Sequence, residues 1–201
     1  ISIILAMGLM LFAMSKIDLH ADESVTMIST PQELDNVRKN LKGNYQLAND
    51  IDMSNYTDYE PIGNESEGAF KGTFNGNGHT IKNLEMDYDS YKYAGLFGCL
   101  DGKVQNVKLE NANIKASRYE GGIAGYMDDN GSVSGCTVSG SVESNNNNFT
   151  RYVGGIIGYA NGEILECENR ARVYGVSDDY IGGIVGYSSD TVKKCDNRGE
   201  V

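Results

Sequence analysis

Four clusters of carboxylates are the residues of this chain whose type and spacing could do chemistry. A polysaccharide hydrolase or lyase needs carboxylates that converge on one groove, or a calcium site with a basic residue nearby. Here the clusters fall at turns or alternate along strand-like runs, which points both side chains outward: Asp50 with Asp52, Asp87 with Asp89, Asp128 with Asp129, and Asp178 with Asp179. We therefore expect solvated turn carboxylates and no catalytic residue, with calcium at Asp128 and Asp129 as a minor alternative.

The sulfur and imidazole side chains do not form a metal motif. The chain has four cysteines and two histidines, His20 and His79, and no Cys-x-x-Cys pair, so neither a metal nor a cofactor site is expected. Two disulfides would suit an exported protein. The repeat alignment instead favours free core thiols, because three of the cysteines occupy an apolar repeat position: Cys136, Cys167 and Cys195.

Tyrosines recur at two positions of a repeated phrase. One set is Tyr93, Tyr119, Tyr152 and Tyr180, and the other is Tyr126, Tyr159 and Tyr187. Columns of stacked rings stabilise a repeat protein by packing, which is the favoured interpretation. An exposed row of rings could instead bind sugars or peptide, so the first set is a candidate ligand-binding strip.

The elements that carry these residues are defined by that phrase, which has the form Tyr-x-Gly-Gly-Ile-x-Gly-Tyr in three copies and the shorter form Tyr-Ala-Gly-Leu-Phe-Gly in the first copy, at 93–98. Aligned on one glycine, its copies follow one another at steps of 27, 33 and 28 residues: Gly95, Gly122, Gly155 and Gly183. Self-similarity at such periods is the signature of a solenoid. The isoleucines that follow should form one apolar column inside the stack: Ile123, Ile156 and Ile184.

A second alignment within the repeats supports the same architecture. Apolar residues recur downstream of each phrase at Val104, Val133, Ile164 and Val192, and again three residues later at the cysteine column. With three short strands per coil, the pattern predicts an all-β fold, a parallel β-helix. Asn169 and Asn197 should form an asparagine ladder. The extra residues of the longest step, around 145–148, should form a protruding loop.

The N-terminal part differs from the repeats. Residues 1–21 are typical of a signal peptide that lacks its basic n-region, with a buried strand or a membrane anchor as alternatives. Thr30, Pro31 and Glu33 then predict a capping box and a short capping helix whose apolar stripe is Leu34, Val37 and Leu41. Strand-like runs follow at 45–51, 72–74 and 80–86. The net charge of −11 argues against nucleic acid or anionic lipid as a partner.

Together these phrases resemble GLUG-motif repeats. The Gly-Gly-Ile-x-Gly-Tyr copies and their Val-x-x-Cys segments carry the resemblance, and residues 45–52, 61–63 and 70–81 are similar to the segment that precedes such repeats. The resemblance implies a right-handed coil in a bacterial surface protein, or a region ahead of the catalytic domain in IgA-protease-type metallopeptidases. The zinc motif His-Glu-x-x-His of those peptidases is absent from this chain, so no peptidase activity is carried over.

The sequence thus predicts a signal peptide at 1–21, a cap with the first coils at 22–92, and four GLUG-type repeats at 93–201, truncated at the C-terminus. We expect a non-enzymatic, secreted or cell-surface β-solenoid acting as a stalk or adhesin, with no membrane span in the mature chain. Its partners would be a glycan or a protein, and further repeats or domains of its own longer chain. The alternatives are the non-catalytic N-terminal region of a secreted zinc metallopeptidase, and a polysaccharide lyase or hydrolase.

Overall fold

The computed structural model describes residues 24–57, 59–87, 92–144, 151–175 and 179–201. Over these residues the chain is a parallel β-solenoid of about five turns with one short helical segment of 9 residues. The predicted fold class is therefore confirmed. The expected signal peptide and the loop around 145–148 lie outside the described residues.

Most of the strands are short, with two to four residues each. The first half of the chain comprises β1 (Val25–Ile28), β2 (Asn44–Leu47), β3 (Ile51–Asp52), β4 (Thr73–Asn75), β5 (Thr80–Lys82), β6 (Glu85–Asp87), β7 (Tyr93–Ala94), β8 (Phe97–Leu100), β9 (Lys103–Gln105), β10 (Lys108–Ala116), β11 (Tyr119–Gly121) and β12 (Ala124–Met127). The second half comprises β13 (Ser132–Ser134), β14 (Thr137–Ser144), β15 (Tyr152–Gly154), β16 (Ile157–Ala160), β17 (Glu163–Leu165), β18 (Glu168–Asn169), β19 (Arg172–Tyr174), β20 (Tyr180–Gly182), β21 (Val185–Ser188), β22 (Val192–Lys193) and β23 (Asp196–Asn197).

Equivalent strands of successive coils pair in parallel to form four sheets that run along the stack. The seven-stranded sheet has the order β1-β2-β4-β9-β13-β17-β22. The eight-stranded sheet has the order β23-β18-β14-β10-β5-β3, with β19 beside β14 and β6 beside β10. The two four-stranded sheets are β20-β15-β11-β7 and β21-β16-β12-β8. The sheets therefore enclose one elongated interior.

The glycine phrase forms a corner between two sheets. The expectation of three strands per coil was too low, because each full phrase contributes two strands, as β15 and β16 do. A Cβ atom on Gly154 would lie 2.0 Å from the carbonyl oxygen of Ile157, and one on Gly155 would lie 2.2 Å from Cγ of Asn169. Neither position has room for a side chain, which explains why both are glycine.

The interior is built from the repeated apolar positions. Ile123 and Ile156 are fully buried, and the amide of each donates to the carbonyl of the equivalent isoleucine in the next coil. Val133 pairs with Val104 on one side and with Ile164 on the other, as the alignment predicts. Complete burial of such a side chain contributes about 1.5–3 kcal/mol to stability, so these columns supply much of the driving force for folding.

The N-terminal end of the interior is closed by the helical segment, α1 (Pro31–Asp35) continued by a 3₁₀ turn at Asn36–Lys39. The Thr30 hydroxyl accepts a hydrogen bond from the Glu33 amide at 3.2 Å, as predicted. The Glu33 carboxylate accepts in return from the amide of Ser29, the residue before the N-cap, at 2.7 Å. Leu34 and Val37 are fully buried in the common core. The sequence did not predict β1, which forms the edge of its sheet.

Candidate functional site

The tyrosines form an interlocked double ladder on one corner of the solenoid. Tyr152 stacks on Tyr119 at 5.2 Å between ring centroids and on Tyr180 at 5.0 Å, and Tyr93 stacks on Tyr119 at 5.0 Å. In the second column Tyr159 stacks between Tyr126 and Tyr187, at 5.4 and 4.6 Å. The columns also meet edge to face, as between Tyr152 and Tyr159 at 5.1 Å. The strip of four tyrosines therefore exists as one continuous surface.

The ladder presents ring edges to solvent, because neighbouring rings occupy the faces. At its start the Lys92 ammonium lies 4.9 Å from the centre of the Tyr93 ring. Burial and the Glu65 carboxylate, to which the Tyr93 hydroxyl donates at 2.9 Å, raise the pKa of Tyr93 to about 12. A sugar normally stacks on the face of an aromatic ring, which only the end of such a column can offer. The geometry favours the packing role.

A second surface with polar side chains follows the bend of the eight-stranded sheet. Its floor is a ladder across four coils, in which the Asn83 amide donates to Asp52 at 2.8 Å and the Asn111 amide donates to Asn83 at 2.7 Å. The backbone amide of Asn111 then donates to the Ser139 hydroxyl at 3.3 Å. Asn83 and Asn111 have φ angles of 57° and 53°, in the left-handed region that asparagine tolerates.

A β-bulge shapes this surface. Leu109 pairs with Val138 and Ala112 pairs with Gly140, so Glu110 and Asn111 lie opposite the single residue Ser139. Bulges bend a strand locally and redirect its side chains. The backbone hydrogen-bonding groups of β10 are used by β14 on one side and by β5 and β6 on the other, so the surface is lined by side chains rather than by an open strand edge. We call this surface the bend groove.

Two cavities lie along the bend groove. The larger, of about 550 Å³, is lined by the bulge, by two hydroxyl side chains, Thr137 and Ser139, and by two basic side chains, Lys108 and Arg170. The smaller, of about 210 Å³, is lined by residues that include Tyr56, Thr57, Asn83 and Glu85. Asn83 and Asn111 are hydrogen-bonded to each other and line one cavity each, so the cavities follow one another along the stack.

A buried cluster of charges lies at the start of the glycine phrases. Arg151 and Asp179 are fully buried and form an ion pair at 3.2 Å, and Ser144 donates to Asp179 at 2.8 Å. Glu120 is also fully buried, and among the described residues no hydrogen-bond partner is found for its carboxylate oxygens. Burial raises the pKa of Glu120 well above its usual range, which the Arg151 guanidinium opposes and Asp179 reinforces. The charge of this part of the core therefore depends on whether Glu120 is protonated.

The predicted carboxylate clusters do not converge on one site within the described residues. Asp50 accepts from the backbone amide of Thr80, which lowers its pKa. Asp52 accepts from the side-chain amide of Asn83 and from the backbone amide of Ser54, which lowers its pKa. Asp128 accepts from the amide of Asp129, so this pair forms a local turn. No group of three or more His, Cys, Asp or Glu residues in the described part could hold a metal ion. Asp89 and Asp178 lie outside the described residues.

All four cysteines are free thiols. Cys136, Cys167 and Cys195 occupy successive coils at the expected position, with the first two buried and Cys195 partly exposed. Cys99 pairs with Tyr126. Burial raises the pKa of Cys99 to about 12 and that of Cys136 well above its usual range, so these thiols are poor nucleophiles. The structure therefore agrees with the expectation of free thiols and not with two disulfides.

Sequence reasoning missed the bend groove and the buried glutamate. The burial of Glu120 could have been predicted from the sequence, because this residue pairs with Ala94 and Val153, which are apolar residues in the same column. For the bend groove, the sequence pattern offered only the recurrence of Asn83 and Asn111. The shape of the groove depends on the bulge, which this recurrence does not predict. The predicted ladder residues Asn169 and Asn197 are hydrogen-bonded at 2.8 Å, but Asn169 is buried and lies outside both surfaces.

Comparison with known proteins identifies one of the repeats as a known motif. The family model described as "The GLUG motif" matches residues 118–143. Halomucin of Haloquadratum walsbyi is 35% identical over 128 residues, which are 59% of this chain and 1% of halomucin. A protein of Evansella cellulosilytica, provisionally described as a Gly-rich membrane protein, is 38% identical over 96 residues, which are 43% of this chain and 11% of that protein. The chain thus matches a small part of each curated relative.

A solved structure has the same fold. It is a crystal structure from Bacteroides ovatus, provisionally described as an immunoglobulin A1 protease, with a TM-score of 0.66 and 24% sequence identity. The match covers 87% of this chain and 64% of that one. No helix of the described residues is long and apolar enough to span a membrane. The predicted resemblance to GLUG-motif repeat proteins is confirmed, on the motif at 118–143.

Proposed function

We propose that this chain, which has a GLUG motif at residues 118–143 and a β-solenoid fold, is a non-enzymatic, exported module of a cell-surface protein. The module would act as a stalk that carries an adhesive face. The observation that carries this proposal is that the inward and outward positions of each coil have different roles. The inward positions build one continuous apolar interior, and the outward positions form ladders of polar and aromatic side chains that extend from coil to coil.

Such an architecture suits a spacer. Each added coil lengthens the stack by about 4.8 Å, the spacing of paired strands, and uses the same kind of core residues as the coil before it. The net charge of −11 keeps the surface well hydrated. The relatives support a modular part in a longer protein, because the match to halomucin covers only 1% of its length and the other curated relative is described as a membrane protein.

The surface location can be tested on intact cells of the native host. Antibodies raised against the chain should label unpermeabilised cells, and external protease should remove that label while a cytoplasmic control protein stays intact. Labelling that requires lysis of the cells would overturn the proposal.

A second candidate function is supported by the structural neighbour, whose match covers 87% of this chain. In that case the chain would be a non-catalytic region of a secreted metallopeptidase. A zinc motif encoded downstream in the same reading frame, together with cleavage of immunoglobulin A1 by the full-length product, would establish it. The stalk proposal expects neither observation.

A polysaccharide lyase or hydrolase is the third candidate, and an assay decides it. Incubation of the chain with acidic and neutral polysaccharides should release no reducing ends or unsaturated products. Cleavage that disappears on Asp128→Asn or Asp129→Asn would contradict the non-enzymatic role.

A further inference from the structure

We propose that the bend groove binds a neutral polysaccharide whose chain runs parallel to the axis of the solenoid. This inference rests on the proposed adhesive role, and it names the site and the class of ligand. Its first support is shape: the cavities of about 550 and 210 Å³ lie in sequence along one bend and are linked by the hydrogen bond between Asn83 and Asn111. A linear polymer can occupy such a groove over several coils.

The lining has the chemistry that sugar hydroxyls require. Carboxamides and hydroxyls both donate and accept, while the Lys108 ammonium and the Arg170 guanidinium donate. Arg170 donates to the Glu168 carboxylate at 2.9 Å, and its side chain remains 55% exposed, so the guanidinium can also donate to a ligand in the larger cavity. In the smaller cavity, Tyr56 adds an aromatic side chain beside Asn83 and Thr57. In a concave binding site, a few positioned polar groups fix the orientation of the ligand and provide specificity.

Other occupants fit the groove less well. A peptide that binds by strand addition needs an open strand edge, but β10 is paired on both sides. A polyanion would be repelled by a chain of net charge −11, and Glu110, Glu85 and Asp87 are among the residues that line the two cavities. The two basic side chains are thereby balanced by carboxylates, which suits an uncharged polymer rich in hydroxyls.

The test is affinity electrophoresis of the complete chain in native gels that contain one soluble polysaccharide each. The neutral probes are hydroxyethyl cellulose, galactomannan, dextran and a mixed-linkage β-glucan, and the acidic probes are alginate and polygalacturonate. At least one neutral polymer should retard the wild-type protein. The double variant Lys108→Ala/Arg170→Ala should weaken that retardation at least about tenfold, because it removes two charged donors.

A matched control changes two lysines on the seven-stranded sheet, Lys103→Ala/Lys193→Ala, which removes the same charge outside the groove. This variant should bind within about twofold of the wild type, because neither lysine lines the groove. Thermal melts of both variants show whether they fold. The single variant Ser139→Ala removes a hydroxyl from the lining of the larger cavity without changing its charge.

Retardation that survives the groove variant, retardation by the acidic probes alone, or no retardation by any probe would each overturn the groove assignment. The cell-labelling experiment decides the proposed function separately. A surface-exposed chain that no neutral polysaccharide retards would leave the stalk role standing and remove the binding site.

Discussion

The side-chain amide of Asn169 donates a hydrogen bond of 2.8 Å to the side-chain oxygen of Asn197 in the next coil. The same amide donates to the carbonyl of Ala171 at 3.0 Å, and its oxygen accepts from the Ala171 amide at 2.9 Å. Asn169 is fully buried, so its side chain satisfies the backbone groups of a corner that water does not reach.

Asn169→Ala should therefore destabilise the fold by about 2–4 kcal/mol, because two buried backbone groups lose their partners. Chemical denaturation measures the change. The control is Asn130→Ala, which removes an exposed hydrogen bond of 3.0 Å to Asp101 and should cost less than about 0.5 kcal/mol. Equal effects of the two substitutions would show that burial of the corner is not what makes Asn169 important.

The apolar column at Ile156 provides a second prediction. Ile156→Asp should abolish cooperative unfolding, because an unpaired charge would enter a fully buried position. Ile156→Val should cost only about 0.5–1.5 kcal/mol, since it removes one methylene group. Circular dichroism melts distinguish the two variants. A folded Asp variant with a melting temperature near that of the wild type would contradict the buried column.

The tyrosine ladder is predicted to depend on rings rather than hydroxyls. Tyr152→Ala should destabilise by about 1–3 kcal/mol, because the partly buried Tyr152 stacks on two rings and meets Tyr159 and Tyr187 edge to face. Tyr152→Phe keeps these contacts and should lie within about 0.5 kcal/mol of the wild type. If the Phe variant keeps its stability but loses ligand binding, the strip is a binding surface and the packing interpretation is wrong.

The buried Glu120 predicts an unusual dependence of stability on pH. Its folded-state pKa lies above the ordinary value of 4.5, so the folded protein retains a proton that the unfolded chain releases. The resulting stability is full below pH 4.5 and is lost as the pH rises toward the folded-state pKa. Arg151 opposes this loss, since it would stabilise the ionised carboxylate, and Asp179 reinforces it.

Glu120→Gln should remove that dependence. Urea unfolding between pH 4.5 and 8 should show the variant gaining stability relative to the wild type as the pH rises. The control is Glu200→Gln, which changes a carboxylate whose side chain is 87% exposed and should alter stability by less than about 0.5 kcal/mol. A difference that does not vary with pH for Glu120→Gln would mean that this carboxylate does not take up its proton on folding.

The sequence predicted the coil because its core positions recur. Ile123 and Ile156, or Val104 and Val133, can be aligned without a structure, and strand pairing then follows. The number of strands was underestimated, since the glycines turn the chain within a single phrase. The bend groove could not be predicted, because its shape depends on the bulge, where β10 has one residue more than β14 between two paired positions.

The stacking of equivalent residues can be measured most directly by pulsed electron spin resonance. Spin labels carried by unnatural amino acids, which leave the native thiols intact, would be placed at Val25 and in turn at Lys103, Ser132 and Glu163. Lys103, Ser132 and Glu163 lie in register on three successive coils of the seven-stranded sheet, and Val25 lies in the same register three strands before Lys103. The distance from Val25 should increase by about 4.8 Å at each step. Distances that stay constant or do not follow the order of the coils would contradict the solenoid.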